Sequence, residues 1–146
     1  MTAIAFYFNV PSKLEYACRL LRKAYRQGAM VGVVAEPAQL VELDRTLWTF
    51  DPVDFIPHAR LSESTPPGGA LGTHTRVWLA PRVADLPHRA VLVNLGPQVP
   101  PGFEAFERVI ELVTEDEADR QQARQRWMQY RSAHHAIEAH EVGRTR

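Results

Sequence analysis

The apolar positions of this chain change their period from segment to segment. Ile4 to Phe8 is an unbroken apolar and aromatic run stopped by Asn9-Val10-Pro11, which predicts a first strand buried on both faces. Ser12-Lys13-Leu14-Glu15 follows as a capping box, in which Ser12 and Glu15 satisfy each other's backbone donors. Positions 14, 17, 18, 21, 24 and 25 are apolar, a helical spacing that ends at Gly28. Met30 to Ala35 repeats the strand pattern. Glu36-Pro37 then opens a second helix with Leu40, Leu43 and Leu47 on its inner face. Strand and helix alternating in this order predict a βαβ start and a parallel sheet.

The middle of the chain is less regular. Thr49-Phe50-Asp51-Pro52 predicts a turn and Asp54 to Pro57 a short strand. Residues 58–74, with Pro66-Pro67-Gly68-Gly69 and Gly72, predict a long surface loop. Val77-Trp78-Leu79 and Ala90 to Leu95 are two further strands joined by a Pro-containing link. Gly96-Pro97 and Pro100-Pro101-Gly102 punctuate the next stretch; Phe103 to Phe106 predicts one helical turn and Arg108 to Val113 a strand. Thr114-Glu115-Asp116-Glu117 is a second capping-box pattern, and a long helix is expected over residues 115–140. The expected architecture is a single α/β domain over residues 1–141, a mostly parallel central sheet flanked by helices, with a fraying tail at 142–146.

Composition narrows the class. A chain of 146 residues with 45% hydrophobic and 23% charged residues suits one globular domain with a sizeable core, not a disordered chain. The N-terminus lacks the charged start and apolar stretch of a signal peptide, and no apolar run approaches membrane-spanning length, so a soluble cytoplasmic protein is expected. The single cysteine, Cys18, leaves no intramolecular disulfide and no multi-cysteine metal site. At an apolar helical position it is expected to be a buried, inert thiol. Neither Gly-x-Gly-x-x-Gly after the first strand, nor a phosphate-loop lysine motif, nor Gly-x-Ser-x-Gly occurs. His134, His135 and His140 share the predicted last helix but miss the i, i+4 pair that zinc needs. No catalytic residue, metal or cofactor is therefore expected.

Charge changes the picture most. Lys plus Arg is 17 and Asp plus Glu is 17, and this balance argues against holding nucleic acid strongly through its phosphates. Yet the zero is a sum of opposites. Seven acids and one Arg lie between Glu104 and Asp119, whereas four Arg and no acids lie between Arg120 and Arg131. Acids at a helix start complement its dipole, which explains part of the pattern. It does not explain Arg120, Arg124, Trp127 and Arg131, whose steps of four, three and four put them on one helical face with Met128 beside them. Such a stripe suits a carboxylate-bearing peptide with an apolar end. The plainer reading buries Trp127 in the core and leaves the arginines to water; Trp127 and Tyr130 compete for that inner position. A second cluster, Leu43-Asp44-Arg45-Thr46-Leu47-Trp48 with Phe50 and Phe55-Ile56-Pro57-His58, either closes the core beneath a turn or forms a patch for a protein partner.

These last two blocks, Leu43 to Trp48 with Phe55 to His58 and Ala123 to Arg131, resemble the chi subunit of bacterial DNA polymerase III, an accessory protein of the clamp-loader complex. Phe6-Tyr7, Gly28 to Glu36, Gly68-Gly69 and Ala90 to Leu95 extend the resemblance in the same order along nearly the whole chain. It implies a Rossmann-like α/β domain without a phosphate-binding loop and without catalytic activity or cofactor. It also implies binding of the acidic, Phe-ended C-terminal tail of single-stranded-DNA-binding protein at Arg120, Arg124, Trp127 and Met128, with Val113 nearby and Arg131 continuing the stripe. Trp127 stands for a tyrosine of the family and Met128 for a lysine. The resemblance further implies that Trp48 and Phe55 dock a clamp-loader psi-type subunit or a helicase. Two alternatives belong to other classes. One is a small nucleotide-fold enzyme using a pocket at the strand ends near Asn9, Glu36 and Asn94; the other is a direct single-stranded DNA binder stacking bases on Trp127.

Overall fold

The computed structural model describes residues 2–49, 57–60 and 76–142. Seven strands form one sheet: β1 (Ala3–Val10), β2 (Val31–Val34), β3 (His58–Arg60), β4 (Val77–Ala80), β5 (Val91–Asn94), β6 (Arg108–Thr114) and β7 (Ile137–Glu141). Their spatial order is β3-β4-β2-β5-β6-β1-β7, and every pairing is parallel. Three α-helices flank the sheet among the described residues: α1 (Lys13–Arg26), α2 (Pro37–Thr49) and α3 (Glu117–Ser132). The α/β, parallel-sheet expectation is met.

Both faces of the sheet are covered, which is why its strands are continuously apolar. Val31, Val33, Val77, Leu79, Val93, Ile110 and Leu112 pack with Ala17, Cys18 and Leu21 of α1 and Leu40, Leu43 and Leu47 of α2. Alternate strand positions, among them Ile4, Phe6, Trp78, Leu92, Val109 and Val113, pack with Ala123 and Tyr130 of α3 on the other face. Short 3-10 turns at Val83–Asp85 and Phe103–Ala105 help close that second core through Val83, Leu86, Phe103 and Phe106. Gly32 leaves room for one of them: a Cβ there would meet Leu86 Cδ1 at 2.5 Å.

Local signals place the helix ends. The Glu15 amide donates to Ser12 Oγ at the start of α1, and Gly28, at φ +79°, turns the chain out of it. The Glu36 amide donates to Gln39 Oε1 at the start of α2. At α3 the cap sits two residues later than its sequence pattern suggested. Asp116 accepts from the Asp119 amide, while Asp119 reaches back to the amide and hydroxyl of Thr114.

Three expectations are corrected. The last helix does not continue to residue 140; it stops at Ser132, His134 takes φ +66°, and the chain returns as β7 beside β1. That strand satisfies the outer backbone edge of β1, which a longer helix would have left open. Consequently His134 lies in a turn, His135 in the link that follows it and His140 on a strand. Val142 is not frayed: its amide donates to the Phe8 carbonyl at 2.8 Å. His58–Arg60, assigned to a loop, is an edge strand paired with β4. The turn at 50–52, the strand at 54–56, the remainder of the 58–74 loop and the tail at 143–146 lie outside the described residues.

Candidate functional site: an arginine-rimmed groove beside α3

The helix α3 is a poor amphipath, because most of its residues are polar. It buries only Ala123, Arg126 and Tyr130, at steps of three and four. Arg126 and Tyr130 dock on Glu111, which projects from the middle of β6. Arg126 Nε donates to Glu111 Oε1 at 2.9 Å, Tyr130 Oη to Glu111 Oε2 at 2.5 Å, and Asn94 Nδ2 to Oε2 at 3.0 Å. Arg126 also donates through Nη1 to the Pro97 carbonyl at 2.9 Å. Glu111 is 0% and Arg126 2% exposed, so the basic segment is not wholly a surface feature. Burial pushes the Glu111 carboxyl up, and Arg126, Asn94 and Tyr130 oppose it. Burial and Glu111 push the Tyr130 hydroxyl far up, so it remains a donor.

Docked in this way, α3 turns Arg120, Arg124, Trp127 and Met128 toward one groove. Phe8, Val113 and Ala123 complete its lining, and its volume is ≈ 400 Å³. The floor is apolar. Trp127 is half-buried, with its ring 5.1 Å from Phe6 and 6.0 Å from Phe8, whereas Tyr130 takes the core position. Met128 is 66% exposed. Arg120 and Arg124 are exposed and form no ion pair among the described residues. A fork of free guanidinium donors above an apolar, partly aromatic floor can hold a carboxylate and an apolar side chain together.

Five of the six residues expected at this site, Val113, Arg120, Arg124, Trp127 and Met128, thus line one groove. Arg131 is exposed on α3 but outside the lining. Phe8 and Ala123 were missed. Ala123 carries a weak sequence signal, since a small residue three after Arg120 and four before Trp127 opens the floor. Phe8 has none, because only the pairing of β1 with β6 brings it beside Val113.

The second expected patch falls only partly within the described residues. Trp48, in the last turn of α2, is 58% exposed, so it is not a core residue. Its ring centroid lies 5.3 Å from that of His58, whose Nε2 is 2.7 Å from Asp44 Oδ1. Phe55 lies outside the described residues. A cleft of ≈ 600 Å³ does open at the carboxyl ends of β2, β4 and β5, with Glu36 and Asn94 in its lining, but Asn9 is elsewhere, bonded to Glu141. Asn94 is spent on Gln98, Gly96 and Glu111. No group of three metal-ligating side chains occurs among the described residues, and no helix among them is long and apolar enough to cross a membrane.

Known proteins resemble this chain over nearly its whole length. Residues 1–138 match the family model described as DNA polymerase III chi subunit, HolC. The DNA polymerase III subunit chi of Pseudomonas aeruginosa is 38% identical, over 99% of both chains. That of Haemophilus influenzae is 35% identical over 80% of this chain and 78% of its own, and that of Escherichia coli 28% identical over 82% and 78%.

Proposed function

This chain belongs to the DNA polymerase III chi subunit family, an accessory family of DNA replication, and from that premise we propose that it is a non-catalytic cytoplasmic adaptor with two docking faces. The groove beside α3 takes the acidic, Phe-ended C-terminal tail of single-stranded-DNA-binding protein. Arg124 and Arg120 take carboxylates, and the terminal phenyl ring lies among Phe8, Val113, Ala123, Trp127 and Met128. Arg131 adds long-range attraction for the acidic stretch. The exposed Trp48 surface, to which the family resemblance adds Phe55, takes a clamp-loader psi-type subunit or a helicase, which links coated single-stranded DNA to the replisome.

The observation that carries the first face is the placement, on the rim of an apolar groove, of two exposed arginines that form no ion pair among the described residues. The experiment is a fluorescence-anisotropy titration with a labelled tail peptide. Arg124→Ala is expected to weaken binding roughly thirtyfold, about 2 kcal/mol, while leaving the melting curve unchanged. Removing the terminal Phe of the peptide costs a similar amount. Wild-type affinity in Arg124→Ala removes the site assignment. Failure of Trp48→Ala to reduce co-purification of clamp-loader subunits removes the second face.

A further inference from the structure

The strand β1 presents Phe8 to the tail groove, so Tyr7, its neighbour in the strand, points to the opposite face. There α1 lies over β2 and β6, and β1 and β7 are the last two strands on that side of the sheet. Their side chains make a second surface, which meets the groove only at the strand ends, where His140 shares a hollow with Phe8 and Arg120. The Tyr7 ring stacks on His140 at 4.8 Å and 22°, and lies 6.0 Å from Tyr16 of α1. Arg108 Nη2 approaches the Tyr7 hydroxyl at 3.4 Å. Burial and Tyr7 hold the Tyr16 hydroxyl above its usual value, against the pull of nearby Arg19. One turn further along α1 comes Lys23. Arg19, Lys23, Arg108 and His140 are all exposed, and both tyrosines are half-buried.

We infer that this face binds single-stranded nucleic acid, its bases stacking on the Tyr7–His140 and Tyr16 rings and its phosphates meeting Arg19, Lys23 and Arg108. Aromatic platforms ringed by cations take unpaired bases because every base has a π-face and every linkage a negative charge. The acids here are Glu138, 3.3 Å from His140, and Glu15, one turn before Arg19. They keep the net charge of the face low, and the contact weak by itself. A weak contact gains weight when a second attachment holds the strand nearby. The tail groove lies against β1 and β6, on the other side of the sheet.

The test is anisotropy of a short labelled oligothymidylate with the full chain at low salt, beside the tail-peptide titration. Binding is expected, with a Kd that rises steeply with salt. Arg19→Glu/Lys23→Glu should weaken it at least tenfold and reduce the log–log salt slope by about 1.4, two phosphate contacts on a single strand. The same double variant should keep its melting temperature and its affinity for the tail peptide. Glu138→Gln should tighten oligonucleotide binding severalfold. No binding at low salt, or wild-type affinity in the double variant, overturns the proposal. So does a loss confined to Arg124→Ala, which would put the strand in the tail groove. Because peptide and oligonucleotide are measured separately, either reading can fail without the other.

Discussion

Glu111 and Arg126 are the least expected residues of this protein. A carboxylate inside a central parallel strand and a guanidinium on the inner face of a helix are each costly alone, and tolerable together only because Tyr130, Asn94 and Pro97 supply further bonds. Arg126→Met leaves a buried, half-partnered carboxylate, and is expected to destabilise the fold by about 3–5 kcal/mol in urea unfolding. Glu111→Leu/Arg126→Met should recover part of that loss, since the uncompensated charge goes with the partner. A single variant within about 1 kcal/mol of wild type would show that the pair is not a structural anchor. Cys18 is the opposite case, a residue whose reading was simple. Burial, reinforced by Glu15, pushes its thiol up to about 11, so thiolate is scarce at neutral pH. Native protein should resist a thiol reagent that labels it fully in denaturant; rapid native labelling would contradict the buried placement.

At the scale of elements, the start of α3 is tied to the rest of the fold through Asp119. Its carboxylate accepts from the Thr114 amide at 2.8 Å and from Lys13 of α1 at 3.0 Å. Burial pushes Asp119 up, but the Thr114 amide and Lys13 outweigh it, and the group lies below its usual value of 3.8. A depressed folded-state value means that the stabilisation is complete above 3.8 and fades as pH falls through the folded value. Asp119→Asn should therefore cost about 1–2 kcal/mol at neutral pH and progressively less below pH 3.8. Melting curves that stay equally far apart down to strong acid would count against this tie. The final helix and strand show how element boundaries are decided. The alternation in Ile137-Glu138-Ala139-His140 is too short and too weakly apolar to announce a strand, and only Ile137 is half-buried. The strand form of β7 comes from backbone bonds to β1, so helical continuation was the natural expectation from sequence.

Over the whole molecule, one edge of the sheet organises both proposed sites on its two faces. Phe8 and Trp127 lie on the α3 side, Tyr7 and His140 on the α1 side. The Trp48 surface belongs to α2, near the opposite edge where β3 and β4 lie. This spread of faces is what the proposed connector needs, with each partner held on its own surface.

The apolar runs at Ile4–Phe8, Met30–Ala35 and Ala90–Leu95, the cap at Ser12 and the stop at Gly28 were legible because burial and capping act on neighbours in the chain. The cationic row at Arg120, Arg124 and Trp127 was legible for the same reason: helical spacing alone puts those residues on one face. Tertiary structure decided the rest. It chose Tyr130 over Trp127 for the core, took Arg126 inward to Glu111, and brought Phe8 to Val113. It also converted the end of the supposed helix into β7. Each of these depends on a partner far along the chain, and no local period records the position of that partner.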